Sequence, residues 1–107
     1  MKLNITYRHL ASTPSIEERI TEKVAHFVKY FNESVEINWV CSIDNGLHRS
    51  EVNVHAGQQY FHAKAEEDNL YKTIDRVLAK LERQIRKKNK IHTQNKSQLE
   101  DLAMSIQ

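Results

Sequence analysis

The chain has 107 residues, enough for one domain that buries about two thirds of its unfolded surface, so we do not expect a second core. Hydrophobic residues make up 39% and charged residues 28%, with two Gly and one Pro, which excludes a low-complexity chain. No apolar run approaches the roughly 20 residues of a membrane span, and residues 1–4 do not open a signal peptide. We therefore expect a cytoplasmic protein without a membrane partner.

The first elements are a strand and a helix. Residues 2–7 alternate polar and apolar, which is the period of a strand with one buried face. Thr13 followed by Pro14 is typical of a helix start, because the Thr side chain accepts a hydrogen bond from a free backbone N–H and Pro has no N–H that needs a partner. We expect the helix to end near Asn32. Its apolar positions recur at helical spacing: Ile16, Ile20, Val24, Phe27, Val28 and Phe31.

Three further strands follow. Residues 35–41 alternate again, and Asn45-Gly46 is the strongest short signal for a hairpin turn. Inward-facing residues continue over 52–56, Gly57 turns the chain, and residues 61–65 form the fourth strand. The predicted fold is a single α+β domain, β-α-β-β-β-α, similar to a double-stranded RNA-binding domain. Its mixed sheet has strand order 1-2-3-4, with strands one and two parallel through a right-handed crossover and both helices on one face.

The second helix is strongly basic. Residues Asn69 to Lys90 contain eight of the sixteen Lys and Arg residues against two acids, a net charge of +6. The apolar stripe comprises Leu70, Ile74, Val77, Leu78, Leu81 and Ile85, and the opposite side carries Lys72, Arg76, Lys80, Arg83, Lys87 and Lys90. A solvated face usually mixes both signs, and neighbouring cations repel by a few tenths of a kcal/mol per pair. We therefore favour a phosphate-binding helix, lying along a groove between the two helices, over a merely solvated surface.

The remaining reactive or metal-binding residue types do not indicate a catalytic or metal site. The lone Cys41 falls on an inward strand position, where a packed thiol is favoured over a catalytic one. The six histidines are scattered, so we interpret them as surface residues rather than metal ligands. We interpret Trp39 and Tyr71 as core residues rather than base-stacking ones. With no Gly-rich phosphate loop, nucleophile elbow or paired acids, we expect no catalytic residue, no metal, no cofactor and no enzyme activity.

The open sheet face is predicted to be solvated. Its residues would be Asn38, Val40, Glu51, Asn53, His55, Tyr60, His62 and Lys64. This set mixes charged, polar and apolar side chains and lacks the paired aromatics of a stacking platform for single-stranded RNA.

Several motifs resemble a known family. They are Asp68-Asn69-Leu70-Tyr71, Ile74-Asp75 and Lys80-Leu81-Glu82-Arg83-Gln84-Ile85, supported by Arg8-His9 and Thr13-Pro14. Over about residues 1–92 the chain resembles the ribosome hibernation promoting factors, which include the ribosome-associated translation inhibitors. Lys72 and Thr73 stand where this family commonly has small residues.

The resemblance implies a function and partners. It implies a protein that binds the small ribosomal subunit and its ribosomal RNA in the decoding channel, and keeps ribosomes inactive under stress or in stationary phase. Lys80 and Arg83 match the family's cationic pair, and Lys23 matches a basic position of the first helix. Off the ribosome we expect a monomer, and any pairing of ribosomes would need a separate dimerising factor. The predicted RNA-binding residues are Arg8, Lys23, Lys72, Arg76, Lys80, Arg83, Arg86, Lys87 and Lys90.

The chain divides into residues 1–92, the predicted ribosome-binding domain, and a C-terminal tail, residues 93–107. The tail is polar, which is typical of a flexible segment, yet Ser97 to Glu100 matches a capping box ahead of a short amphipathic helix. Both interpretations stay open.

Two alternative functions also remain. A general double-stranded RNA-binding module would bind any duplex with similar affinity, and a sigma-factor modulator would act without RNA. Sedimentation with ribosomes, using bare duplex RNA as competitor, separates the three hypotheses.

Overall fold

A computed structural model describes residues 1–31 and 33–97, and side chains within these ranges as far as Lys88. The elements are β1 (Lys2–Arg8), α1 (Pro14–Phe27), a 3-10 turn (Val28–Tyr30), β2 (Val35–Asp44), β3 (Leu47–Ala56), β4 (Gln59–Glu67) and α2 (Leu70–Ser97). The sheet order is β1-β2-β3-β4, with β1 parallel to β2 and the other pairs antiparallel. The predicted fold class, element order and strand order are therefore confirmed.

The turns follow the predicted chemistry. Asn45 and Gly46 both adopt left-handed backbone angles, with φ of 52° and 79°, which match the twist of a tight two-residue hairpin. Gly57, with φ of 61°, opens the turn between β3 and β4. These turns set the register in which β3 lies between β2 and β4.

Both helices start on side-chain caps. Thr13 Oγ1 accepts a hydrogen bond from the Ile16 amide at 3.2 Å, and Asn69 Oδ1 accepts one from the Tyr71 amide at 2.8 Å. The first helix is shorter than predicted. It ends at Phe27 and passes through the 3-10 turn, after which Phe31 is extended and its ring lies 6.0 Å from that of Phe61 on β4. The predicted helix end at residue 32 lies outside the described residues.

The core lies between the sheet and the two helices. Trp39 is 1% exposed and Cys41 is fully buried, as predicted, and burial raises the pKa of the Cys41 thiol to about 11. The prediction for Tyr71 is wrong, since this side chain is 37% exposed. It lies on the flank of α2 that faces α1, where Arg19 covers its ring at 5.6 Å from the centroid. No helix in the described ranges has an apolar stretch long enough to cross a membrane.

A buried chain of hydrogen bonds fixes α2 on the sheet. Trp39 Nε1 donates to Ser50 Oγ at 3.1 Å, Ser50 Oγ lies 2.8 Å from Thr73 Oγ1, and Thr73 Oγ1 donates to the Leu70 carbonyl at 2.6 Å. Each buried polar atom in this hydrogen-bonded network has a partner, so the network leaves none of its own polar groups unsatisfied. The network joins β2, β3 and the first turn of α2, and thereby sets where the rest of α2 runs along β4.

Candidate nucleic-acid interface

The predicted cations of α2 fall into two segments with different surroundings. In the N-terminal segment, residues 70–79, carboxylates accompany the cations. Three ion pairs form there: Lys72 with Asp68 at 3.1 Å, Arg76 with Glu67, and Lys23 of α1 with Asp75 at 3.5 Å. The charges of this segment therefore cancel pair by pair, although such exposed pairs contribute little to stability.

The C-terminal segment, residues 80–88, keeps its charge. It contains five cations and one acid, a net charge of +4. Its one ion pair among the described residues is long, with Arg86 Nη2 3.9 Å from the Glu82 carboxylate. Lys80, Arg83 and Lys87 fall within a sector of about 60° on one side of the helix, and we call these three residues the cation ridge. Within the described part of the chain, no carboxylate forms a salt bridge with any of the three.

The C-terminal segment is anchored to the free edge of β4 by two side chains. Lys80 Nζ donates to the Lys64 carbonyl at 2.7 Å, and Gln84 Nε2 donates to the His62 carbonyl at 2.8 Å. These bonds satisfy backbone groups that an edge strand would otherwise expose. A neutral carbonyl holds the Lys80 ammonium in position without cancelling its charge.

The groove between the helices is not lined by the cation row. Lys23, His26, Asp75, Leu78, Ala79 and Glu82 line this depression. Its lining therefore includes two carboxylates, whereas Lys80 and Arg76 point towards β4 and its C-terminal end. The prediction of a basic groove is wrong because the helical sector facing α1 carries the only two acids of the basic helix, Asp75 and Glu82.

Arg8 lies apart from the cation ridge. It ends β1 in register with Ser42 of β2, which in turn pairs with Arg49 of β3. At this end of the sheet Arg49 donates from Nε and Nη2 to Glu66, at 2.9 and 2.5 Å, and this bond and charge lower the pKa of Glu66. The C-terminal segment of α2 instead approaches the opposite end, where β4 begins. The structure therefore does not bring Arg8 together with the cations of the C-terminal segment.

Two further lysines, Lys88 and Lys90, follow the cation ridge in the sequence of α2. Lys88, which was not predicted as an RNA-binding residue, is one of the five cations of the C-terminal segment, and its Nζ lies 5.7 Å from the centroid of the Phe61 ring. Its helical position is close to the apolar stripe, so periodicity gave no signal for it. Lys90 belongs to α2, but its side chain lies outside the described residues.

The site offers charge and hydrogen-bond donors rather than a reactive group. Among the described residues, no three His, Cys, Asp or Glu side chains are grouped as metal ligands would be. The Cys41 thiol is buried with a raised pKa, which disfavours the reactive thiolate. Ammonium and guanidinium groups in a row bind anions, and Arg adds the bidentate geometry that suits phosphate.

Comparison with known proteins agrees with the fold and motifs. Residues 3–92 match the family model described as Sigma 54 modulation protein / S30EA ribosomal protein. The chain is 33% identical over 87 residues to the ribosome hibernation promoting factor of Escherichia coli strain K12, covering 81% of this chain and 92% of that one. It is 33% identical over 88 residues to the ribosome-associated factor Y of Haemophilus influenzae, covering 81% of each.

A solved structure is also similar. The crystal structure of the Thermus thermophilus Protein Y N-terminal domain superposes with a TM-score of 0.76 at 25% identity, covering 81% of this chain and 98% of that one. The resemblance inferred from the α2 motifs is thus confirmed. The chain belongs to the Sigma 54 modulation protein / S30EA ribosomal protein family.

Proposed function

We propose that this protein binds the small ribosomal subunit through the cation ridge, occupies the decoding channel and keeps idle ribosomes inactive. Family membership and the names of the relatives, which refer to ribosome hibernation and ribosome association, support this function. Because ribosomes are its partner, its action belongs to the cytoplasm. The observation that carries the proposal is that Lys80, Arg83 and Lys87 share one sector of α2 without a described carboxylate partner.

Electrostatics explains why this segment suits ribosomal RNA. Each cation that neutralises a phosphate releases condensed counterion, which makes binding favourable and dependent on salt. Recognition of structured RNA relies on shape, phosphates and 2′-hydroxyl groups more than on base edges, so a row of cations on a helix suits this contact. The Lys64 carbonyl holds Lys80 in place before binding, which reduces the entropy lost when a phosphate is bound.

The proposed inhibition is competition for space. A protein in the decoding channel excludes messenger and initiator transfer RNA, and no chemical step is required. Inhibition therefore saturates near one protein per ribosome and leaves ribosomal RNA and proteins chemically intact. Excess messenger with initiation factors reverses it by mass action.

The test is a purified translation system with varied order of addition. Protein added to empty ribosomes is expected to inhibit, and protein added after initiator transfer RNA and messenger is expected to inhibit far less. Stable binding of the protein and initiator transfer RNA to the same subunit would contradict the proposal. An irreversible effect at less than one protein per ribosome would contradict it as well.

A second candidate follows from the family description itself, which includes modulation of sigma 54. A sigma-factor modulator would bind its partner equally well after ribonuclease treatment and would tolerate loss of the cation ridge. Co-sedimentation with ribosomes before and after charge reversal of Lys80 and Arg83 separates the two functions.

A further inference from the structure

The open face of the sheet is organised in rows that cross all four strands. The strand register aligns side chains of β1, β2, β3 and β4 at each level. Two neighbouring rows are Asn4, Asn38, Asn53 and His62, and Lys2, Glu36, His55 and Tyr60. His55 and Tyr60 are thus direct cross-strand neighbours and form an aromatic pair, which the prediction of a sheet face without paired aromatics missed.

Tyr60 is exposed yet held in one orientation. Its side chain is 52% exposed, more than that of any other Tyr among the described residues. The hydroxyl donates to Asn53 Oδ1 at 2.8 Å, so the ring is fixed at its Cβ on β4 and at its hydroxyl on β3. His62 Nδ1 lies 2.5 Å from the same Asn53 oxygen, and the His55 ring lies edge-to-face against Tyr60 with centroids 4.6 Å apart. An ordered, solvent-exposed aromatic ring loses little side-chain entropy when it binds a flat partner.

This aromatic pair and the C-terminal segment of α2 are linked through the edge strand β4. On β4 the side chain of His62 points to the open face, while its carbonyl accepts the hydrogen bond from Gln84 of α2. Lys64, two residues further, accepts the bond from Lys80 in the same way. Tyr60 lies two residues before His62 on the same face. Tyr60 and α2 lie on opposite faces of the sheet, so an RNA strand that contacts both must pass around the free edge of β4.

We propose that Tyr60, supported by His55, stacks against an unpaired base of the RNA strand whose phosphates lie on the cation ridge. This inference rests on the proposed function and adds the kind of RNA that is bound, a strand with an accessible base rather than a continuous duplex. Aromatic rings stack with any base, because every base has a π-face. Proteins that bind single-stranded RNA commonly combine such rings with a row of cations. The cation ridge alone would not distinguish an RNA strand with an accessible base from a continuous duplex.

The test compares four proteins: the unchanged chain, Tyr60→Phe, Tyr60→Leu and Tyr71→Leu. Phe keeps the ring and loses only the bond to Asn53, whereas Leu keeps apolar volume without a π-face. Tyr71 is a matched control, an exposed tyrosine on the flank of α2 that faces α1. Affinity for purified small ribosomal subunits is measured for each, together with the reactivity of all four kinds of ribosomal RNA base towards base-specific reagents at saturating protein. Circular dichroism establishes that each variant is folded.

Tyr60→Leu is expected to weaken binding between about 5-fold and about 150-fold, with Tyr60→Phe and Tyr71→Leu within about 3-fold of the unchanged chain. At least one base should be protected by the unchanged chain and by Tyr60→Phe, and become reactive with Tyr60→Leu.

Two outcomes overturn the inference. Unchanged affinity of Tyr60→Leu would show that the ring does not contribute to binding, and weaker binding with identical base reactivity would show that its contact is not with a base. If the Lys80 and Arg83 variants lose binding while Tyr60→Leu does not, the inference that Tyr60 stacks on a base is wrong and the proposed function stands. If the unchanged chain does not bind ribosomes at all, the proposed function itself fails.

Discussion

The two segments of α2 carry similar cations but different charge. Lys72 and Arg76 of the N-terminal segment face Asp68 and Glu67, because α2 starts where β4 ends in a run of acids. Lys80 of the C-terminal segment instead meets the carbonyl of Lys64 in the middle of β4. A carboxylate cancels the charge of the cation that it holds, whereas a carbonyl holds the cation and leaves its charge available. We therefore expect fewer cations of α2 to bind phosphate than a count along the helix predicts.

The largest expected loss of stability comes from a core residue that holds both segments of α2 on the sheet. Leu81 is fully buried at the junction of the segments. Leu81→Ala is expected to cost about 2–5 kcal/mol of stability through the cavity that it leaves, and to affect ribosome binding only by unfolding. Urea denaturation followed by circular dichroism measures the loss. Leu81→Met, which nearly conserves volume, is the control and should cost less than about 1.5 kcal/mol. A loss below about 1 kcal/mol for the Ala variant would show that α2 does not depend on this contact.

Matched charge reversals compare the segments directly. Lys80→Glu with Arg83→Glu is expected to weaken ribosome binding by about 100-fold or more, because two phosphate contacts become repulsive. Lys72→Glu with Arg76→Glu makes the same change in net charge on the same helix, but we expect less than about a 5-fold effect from the more distant charges. Stability of both variants should stay within about 1 kcal/mol, since exposed charges contribute little to folding. Equal losses of binding in co-sedimentation would mean that the segments do not differ.

Sequence patterns predicted the fold well because each signal was local. The cap at Thr13, the hairpin at Asn45-Gly46 and the alternation of β2 to β4 all depend on neighbours within a few residues. The pair Lys72 with Asp68 could also have been inferred, since residues four apart meet on a helix.

The division of the site could not be predicted in the same way. Arg76 pairs with Glu67 across a helix start, Lys23 pairs with Asp75 between two helices, and Lys80 binds a carbonyl of β4. Such partners depend on how α2 lies on the sheet, which no local pattern contains. The short helix predicted after Ser97 falls on residues 98–107, outside the described residues, and stays a prediction.

Removing the acids that pair with the N-terminal segment should make this segment resemble the C-terminal one. Glu67→Gln with Asp68→Asn leaves Arg76 and Lys72 without their carboxylates, and we expect ribosome affinity to rise by about 2- to 10-fold at low salt. Glu18→Gln with Glu22→Gln, two exposed acids of α1, makes an equal change in net charge as a control. If both pairs raise affinity equally, net charge and not position explains the gain.

The smallest expected effect concerns pH at the acidic end of β4. Arg49 lowers the pKa of Glu66 below its ordinary 4.5 through a hydrogen bond and its charge. The folded protein therefore holds this proton less tightly than the unfolded chain, so the contribution of the pair is present above pH 4.5 and is lost as pH falls through the lowered pKa. Titration of the Glu66 carboxyl by NMR should give a midpoint below 4.5 that returns towards 4.5 in Arg49→Gln. A midpoint unaffected by Arg49→Gln would mean that the pair does not persist in solution.

The central claim is that the C-terminal segment supplies the phosphate contacts, and the salt dependence of ribosome affinity tests it most directly. Each neutralised phosphate contributes about −0.7 to −0.9 to the slope of log K against log salt, so three or four contacts predict a slope of about −2 to −4. Lys80→Gln with Arg83→Gln should reduce the magnitude of the slope by about 1.4 to 1.8, and Lys72→Gln with Arg76→Gln should leave it unchanged. If all nine predicted cations bound phosphate, the slope would be about −6 to −8 and both double variants would change it alike, which would contradict the claim.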